Sequence, residues 1–336
     1  MTRSRRGWLW WLGFALYLLA VALVGATVSM ALHFQSHPAP LWIALWIATL
    51  LAAVAVALRR GLGAGLLIAA CAVGVFILWW KTITPSNDRA WQADVADLLS
   101  GAPDPADSDL ITLRYVRDFR WITETEFEPR WQTRTYDLAS LATTDLVLTY
   151  WAGPAIAHTM VSFGFEDGEH VVFSVGIRPE AGEAYSSLAG FFKAYELIVT
   201  AADERDAIGL RTSVQTGNTV HLYPLAMSPR TARDLFLEYV TLANGLVETP
   251  RFYRTILANC TTIVWGLVRR LDPGLPLDWR VLLPGYLPAY LYERQALDMR
   301  YTLPELEAMT RLPADIPTTL DSRAYSAALR KSIPLR

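Results

Sequence analysis

Apolar positions in the first eighty residues are continuous rather than periodic. Trp8 to about Leu32, Leu41 to Leu58 and Leu62 to Trp80 form three nearly unbroken apolar runs. Each is long enough to cross a hydrocarbon core of about 30 Å as a helix, the one open-ended structure that satisfies its own backbone in lipid. A cleaved signal peptide is the competing reading of the first run, since Arg3, Arg5 and Arg6 precede it. The length of its apolar core and the two runs directly after it favour three spanning helices. Arg3, Arg5, Arg6, Arg59 and Arg60 mark one side, whereas the loop from His33 to Pro40 has no Lys or Arg. The N-terminus is therefore predicted in the cytoplasm, and everything after Lys81 beyond a bacterial inner membrane, in the periplasm. Trp8, Trp10, Trp11, Trp42, Trp79 and Trp80 lie near span ends, where interfacial aromatics belong. No acidic or basic residue interrupts the apolar cores, which points to anchoring rather than an ion path. Gly61, Gly63 and Gly65 read as close helix packing.

Past residue 81 the pattern breaks up. Residues 82–108, with Pro85-Ser86-Asn87-Asp88 and Gly101-Ala102-Pro103-Asp104-Pro105, read as a linker with a short helix around Trp91 to Leu99. A mixed α+β domain is expected over 109–300 and a peripheral tail over 301–336. Its first half reads as strand: Leu110 to Phe119, Trp131 to Tyr136, Asp145 to Trp151, Ile156 to Phe165, His170 to Val175, Leu197 to Thr200 and Val220 to Tyr223. Asp167-Gly168 signals a tight hairpin between the fourth and fifth of these. The second half is helical. Ser228 caps one helix whose apolar residues run Leu235, Phe236, Tyr239, Val240, Ala243 and Leu246, and Asn259 caps another carrying Ile263, Val264, Leu267, Val268 and Leu271.

Charge divides the chain in the same way. Residues 1–81 hold six basic residues and no acid; the remainder carries 24 basic against 32 acidic, a formal −8. No basic run favours nucleic acid, and none is expected as a partner. Cys-x-x-Cys, His-Glu-x-x-His, Gly-x-Ser-x-Gly and phosphate-loop patterns are absent from the sequence, so neither a metal nor another cofactor is expected.

Two cysteines are present, Cys71 inside a span and Cys260 in Asn259-Cys260-Thr261-Thr262. Cys260 reads either as a small buried hydrophobe or as a catalytic nucleophile. The second reading gains from its place in a first helical turn, where unpaired N–H groups and the helix dipole stabilise a thiolate. Asn259 serves there as a cap or as part of an oxyanion hole. Of the histidines beyond the spans, His158 lies mid-strand and is the first choice of proton acceptor, with His170 and His221 as alternatives. A two-residue turn at Asp167-Gly168 places His158 opposite Ile177, and a slip of one residue opposite Arg178. Glu180 is then the nearest candidate orienter, with Glu183 and Ser174 behind it. Asp203, Glu204, Arg205, Asp206 and Arg211 form a charged block that serves either an ion-pair network or a headgroup contact. Phe191, Phe192, Tyr195, Phe252 and Tyr253 read as core packing or as an acyl groove.

Four blocks resemble a known family: Ala157-His158-Thr159-Met160-Val161-Ser162-Phe163, Ala202 through Thr212, Asn259-Cys260-Thr261-Thr262, and Asp278-Trp279-Arg280-Val281-Leu282-Leu283-Pro284-Gly285-Tyr286. Together they are similar to the bacterial Lnb N-terminal periplasmic domain family, over roughly Asp109 to Tyr286. The resemblance implies a lipoprotein N-acyltransferase in which a cysteine and a histidine, here Cys260 and His158, carry the reaction, the acyl chain passing through a thioester on the cysteine. The donor would be a phospholipid and the acceptor a lipoprotein N-terminus. The order of histidine strand before cysteine helix also resembles circularly permuted papain-like domains, including the lecithin–retinol acyltransferase branch. An extracytoplasmic cysteine peptidase or amidase, and a non-catalytic membrane-anchored binding module, are the alternatives.

Overall fold

The computed structural model describes residues 7–331 and 333. The chain falls into two compact units, one built on the chain up to Pro85 together with Ser186–Ala194, the other from Ser86–Tyr185 and from Tyr195 onward. Arg3, Arg5 and Arg6, on which part of the expected orientation rests, lie outside the described residues.

The first unit consists of α1 (Trp8–Gln35), α2 (Ala39–Arg60) and α3 (Leu62–Thr82), each long and apolar enough to cross a membrane. Leu23, Leu67 and Leu78 are among the large apolar side chains left exposed, as a lipid-facing surface requires. Gly61 turns the chain between α2 and α3 at φ +102°. A Cβ on Gly65 would stand 2.5 Å from that of Ala57, so the two helices approach this closely only because the side chain is missing. Segment Ser186–Ala194 is tied to the span ends. Gln35 donates to the carbonyls of Phe192 and Lys193, Lys193 Nζ donates to the Trp80 and Ile83 carbonyls, and Phe192 stacks on Phe34.

The second unit is a mixed α+β domain around an eight-stranded sheet. Its strands are β1 (Ser100–Pro103), β2 (Leu110–Arg117), β5 (Trp131–Asp137), β6 (Leu141–Tyr150), β7 (Ala157–Phe165), β8 (His170–Arg178), β9 (Glu196–Ala202) and β10 (Thr219–Pro224). β3 (Arg120–Trp121) and β4 (Phe127–Glu128) form a separate small hairpin. The order is β1-β2-β9-β8-β7-β6-β10, with β5 on β2. Residues 82–108, expected as linker, thus contribute β1 to the sheet, and the helix expected near Trp91 shrinks to one 3-10 turn, Ala93–Val95.

Strand alternation sorts the core. Val161, Phe163, Val171, Phe173 and Val199 face α5 (Pro229–Glu248) and α6 (Cys260–Leu271), whose Phe236, Tyr239 and Leu267 complete one cluster. On the other face Val147, Met160, Val172, Val220 and Leu222 meet α4 (Glu204–Gly209) and α9 (Ser322–Leu329). α7 (Leu287–Glu293) and α8 (Leu303–Thr310) cover Leu146, Leu148 and Tyr223. The tail is therefore not peripheral. Tyr325 and Leu329 are fully buried, and Arg330 reaches Asp145 at 2.6 Å and Glu204 at 2.7 Å beneath the sheet.

Candidate active site

Asn259 decides where α6 begins. Its Oδ1 accepts from the amides of Thr261 (2.9 Å) and Thr262 (2.8 Å), while its own amide donates to the Thr262 hydroxyl (3.0 Å), a reciprocal capping box. The Asn259 Nδ2 donates to the Thr255 carbonyl at 2.7 Å. The oxygen of the side chain is thus engaged in capping, and one Nδ2 hydrogen in holding the preceding loop. Cys260 is the first helical residue.

Its sulfur is buried, yet polar groups surround it. Sγ lies 3.7 Å from the Thr261 hydroxyl, which in turn meets the Thr159 hydroxyl at 2.9 Å. Burial pushes the thiol pKa up, while hydrogen bonds from the Thr159 backbone, from the Thr261 and Thr159 hydroxyls and from the amide of Cys260 itself work against that rise. Cys260 therefore packs on β7 at the residue after His158.

β7 and β8 part at this point. β7 pairs with β6 along its whole length, through Tyr150↔Ala157, but with β8 only from Met160↔Ser174 to Gly164↔His170. Ala157, His158 and Thr159 have no ladder partner on the β8 side, and Val175–Arg178 pair only with β9. A Cβ on Gly176 would meet nothing within 4 Å, so the face of β8 is open there.

Neither expected register is observed. The hairpin turns over Phe165–Gly168, with Gly168 at φ +84° and its amide on the Phe165 carbonyl. That longer turn shifts the pairing by one residue from the tighter alternative, so Met160 faces Ser174, and continuing the ladder would set His158 against Gly176 rather than Ile177 or Arg178. The shift brings the Ser174 hydroxyl to 2.8 Å from His158 Nε2, the hydrogen-bond partner of that ring among the described residues. Glu180 does not fill the orienting role: its carboxylate pairs with Arg89 at 2.5 Å. Glu183 accepts from the Glu180 amide.

Alternation sends Thr159 toward α6 and His158 toward the face of Ser174 and Met160, so no hydrogen bond joins thiol and ring in the described structure. What links them is Thr159, whose backbone and hydroxyl bond the thiol and which follows His158 directly in β7. Burial and the Arg211 guanidinium lower the His158 pKa to about 3. With one pKa lowered and the other raised, ring and thiol are both neutral near pH 7. Thr149, the cross-strand neighbour of His158, has a buried hydroxyl with no partner among the described residues.

The charged block divides. Asp203 caps α4 and meets Ser322 and Arg134, Arg205 holds Asp118, and Asp206 holds Arg117, the Phe119 amide and the Trp121 indole. Glu204 accepts from Ser162 at 2.6 Å and pairs with Arg330. Arg211 differs. In a π-helical turn over Leu210–Val214, it donates to the Ala207 carbonyl, has no ion pair among the described residues, and acts electrostatically on both His158 and Cys260. Sequence patterns grouped it with the ion-pair formers because spacing alone does not separate a fold-supporting arginine from one left beside a site.

The other histidines are committed elsewhere. His221 meets Thr310 and stacks on Tyr223. His170 meets the Gly168 carbonyl and, with Asp145 and Glu204, forms a buried cluster of metal-type donors. Arg330 pairs with both of its carboxylates.

Residues 127–285 match the family model of the Lnb N-terminal periplasmic domain. The match starts later than the resemblance read from the sequence, at 127 rather than 109, and includes both His158 and Cys260. No curated protein and no solved structure matches the chain.

Proposed function

With residues 127–285 matching the Lnb N-terminal periplasmic domain, we propose that this membrane-anchored protein is a thiol acyltransferase with its catalytic domain in the periplasm. Its three spans would lie in the inner membrane, and its histidine strand and cysteine helix would form a permuted papain-like site. His158 takes the proton of Cys260 as sulfur attacks the carbonyl of a phospholipid ester. The C–S bond forms, the ester C–O bond breaks, and the proton passes to the departing lysophospholipid alkoxide. An amine, that of a lipoprotein N-terminus, then attacks the thioester: C–N forms, C–S breaks, and the thiol regains a proton from the amine. The amide of Cys260 is the oxyanion donor, and Arg211 favours the transient thiolate. Ser174 orients the imidazole.

Support for this reading comes from the contact of Cys260 Sγ with the Thr159 backbone, next to His158, where β7 and β8 separate. The test incubates purified protein with phospholipid labelled in its acyl chain. A hydroxylamine-sensitive adduct at Cys260, absent in Cys260→Ala and passed on to an N-terminal amine, is expected. Cleavage of a peptide or amide without lipid consumption would instead make it a cysteine hydrolase.

A further inference from the structure

The chain enters α6 through a small loop with an unusual surface. Its base is pinned to β9: the Leu197 amide donates to the Arg251 carbonyl at 2.7 Å and the Tyr253 amide to the Tyr195 carbonyl at 3.0 Å. Its neck is closed by a reciprocal backbone pair, Arg254 amide to Ala258 carbonyl (3.1 Å) and Ala258 amide to Arg254 carbonyl (2.9 Å). The Asn259 side chain braces the tip from below through the Thr255 carbonyl. At that tip Ile256 is 51% exposed and Leu257 71% exposed, three residues before the nucleophile at the nearer end. A loop held this firmly does not fold its aliphatics inward.

Charge separates the possible occupants. The sequence after residue 81 carries a formal −8, yet residues 249–258 contain Arg251 and Arg254 and no acid. Both arginines are exposed and neither forms an ion pair among the described residues. Aliphatic tip and flanking cations match the two strata of a phospholipid surface, acyl chains below and phosphates above. The same chain carries three helices long and apolar enough to cross a bilayer.

We propose that the Arg254–Ala258 loop is a bilayer-inserting wedge. Ile256 and Leu257 enter the acyl border of the periplasmic leaflet, Arg251 and Arg254 hold headgroup phosphates, and Cys260 is brought to the depth of the ester bonds. The wedge deepens the acyltransferase reading and rests on it for its purpose, but its test does not use the chemistry.

The experiment uses the full chain in nanodiscs of phosphatidylethanolamine and phosphatidylglycerol, with Cys71 and Cys260 both replaced by serine. A spin label is placed through Leu257→Cys and, as a water-exposed control, through Asp107→Cys. At 257 the label is expected to relax at least threefold more with oxygen than with an aqueous nickel chelate, and at 107 the reverse. Access to nickel at 257 equal to that at 107 overturns the wedge. Shielding from both reagents overturns it too, in favour of a protein partner or a second copy. Because the nucleophile is replaced, these results stand apart from whether a Cys260 thioester forms.

Discussion

Burial together with the Arg211 guanidinium lowers the His158 pKa to about 3, against about 6.5 for a free imidazole. The acid limb of kcat/KM for acyl transfer is therefore expected near pH 3, with no inflection near 6.5; a pH–rate profile on labelled phospholipid would show it. The same shift makes stability pH-dependent. Between 6.5 and 3 the unfolded chain binds a proton at this position that the folded chain does not, so stability falls as pH falls through that window. His158→Gln should flatten that slope in thermal unfolding at pH 7 and 4.5. In the proposed reaction Ser174 is a positioning residue. Its single hydrogen bond to the ring makes Ser174→Ala worth about a 2- to 10-fold loss in kcat, with KM and melting temperature nearly unchanged. Cys260 and His158 were legible as residues, but Ser174 displaced Glu180 because a one-residue register difference decides which side chains share a face.

At the scale of the element, α6 depends on Asn259. Its side chain satisfies two N-terminal amides and ties the preceding loop to the helix, so Asn259→Ala should cost about 0.5–2 kcal/mol in urea unfolding. Asn259→Asp keeps the acceptor and loses the donor to Thr255; it should restore most of the stability, separating the cap from the loop brace. The cap was legible because Asn, a favoured cap residue, directly ahead of an apolar stripe is a local signal. β7 and β8 were legible for the same reason, as alternating apolar runs around Asp-Gly. Their divergence after Met160 was not, since nothing in their composition marks where a ladder stops.

Across the whole molecule, the C-terminal helix acts as a core element. Arg330 spans from α9 to Asp145 and Glu204; burial raises the Glu204 pKa, but Arg330 and His170 outweigh it and bring the value to about 2. Arg330→Met would leave two buried carboxylates facing one another. A loss of about 3–5 kcal/mol is expected in denaturant unfolding, partly recovered when Asp145→Asn and Glu204→Gln are added. The short tail read as peripheral because α9 is only eight residues long and its apolar residues are few. The surface it buries against is supplied by strands more than a hundred residues away.

By itself the sequence determined the three spans, the mixed α+β character of the domain beyond them, most strand and helix cores, and the placing of Cys260 at a capped helix start. These rest on continuous hydrophobicity, on periodicity and on side-chain-to-backbone capping, all short-range along the chain. Tertiary structure alone decided the partner of His158, the isolation of Arg211 from the neighbouring ion pairs, the docking of α9 and the exposed Ile256–Leu257 tip. Each of those depends on register or on contacts between distant segments, where one residue of slip or one remote carboxylate changes the outcome.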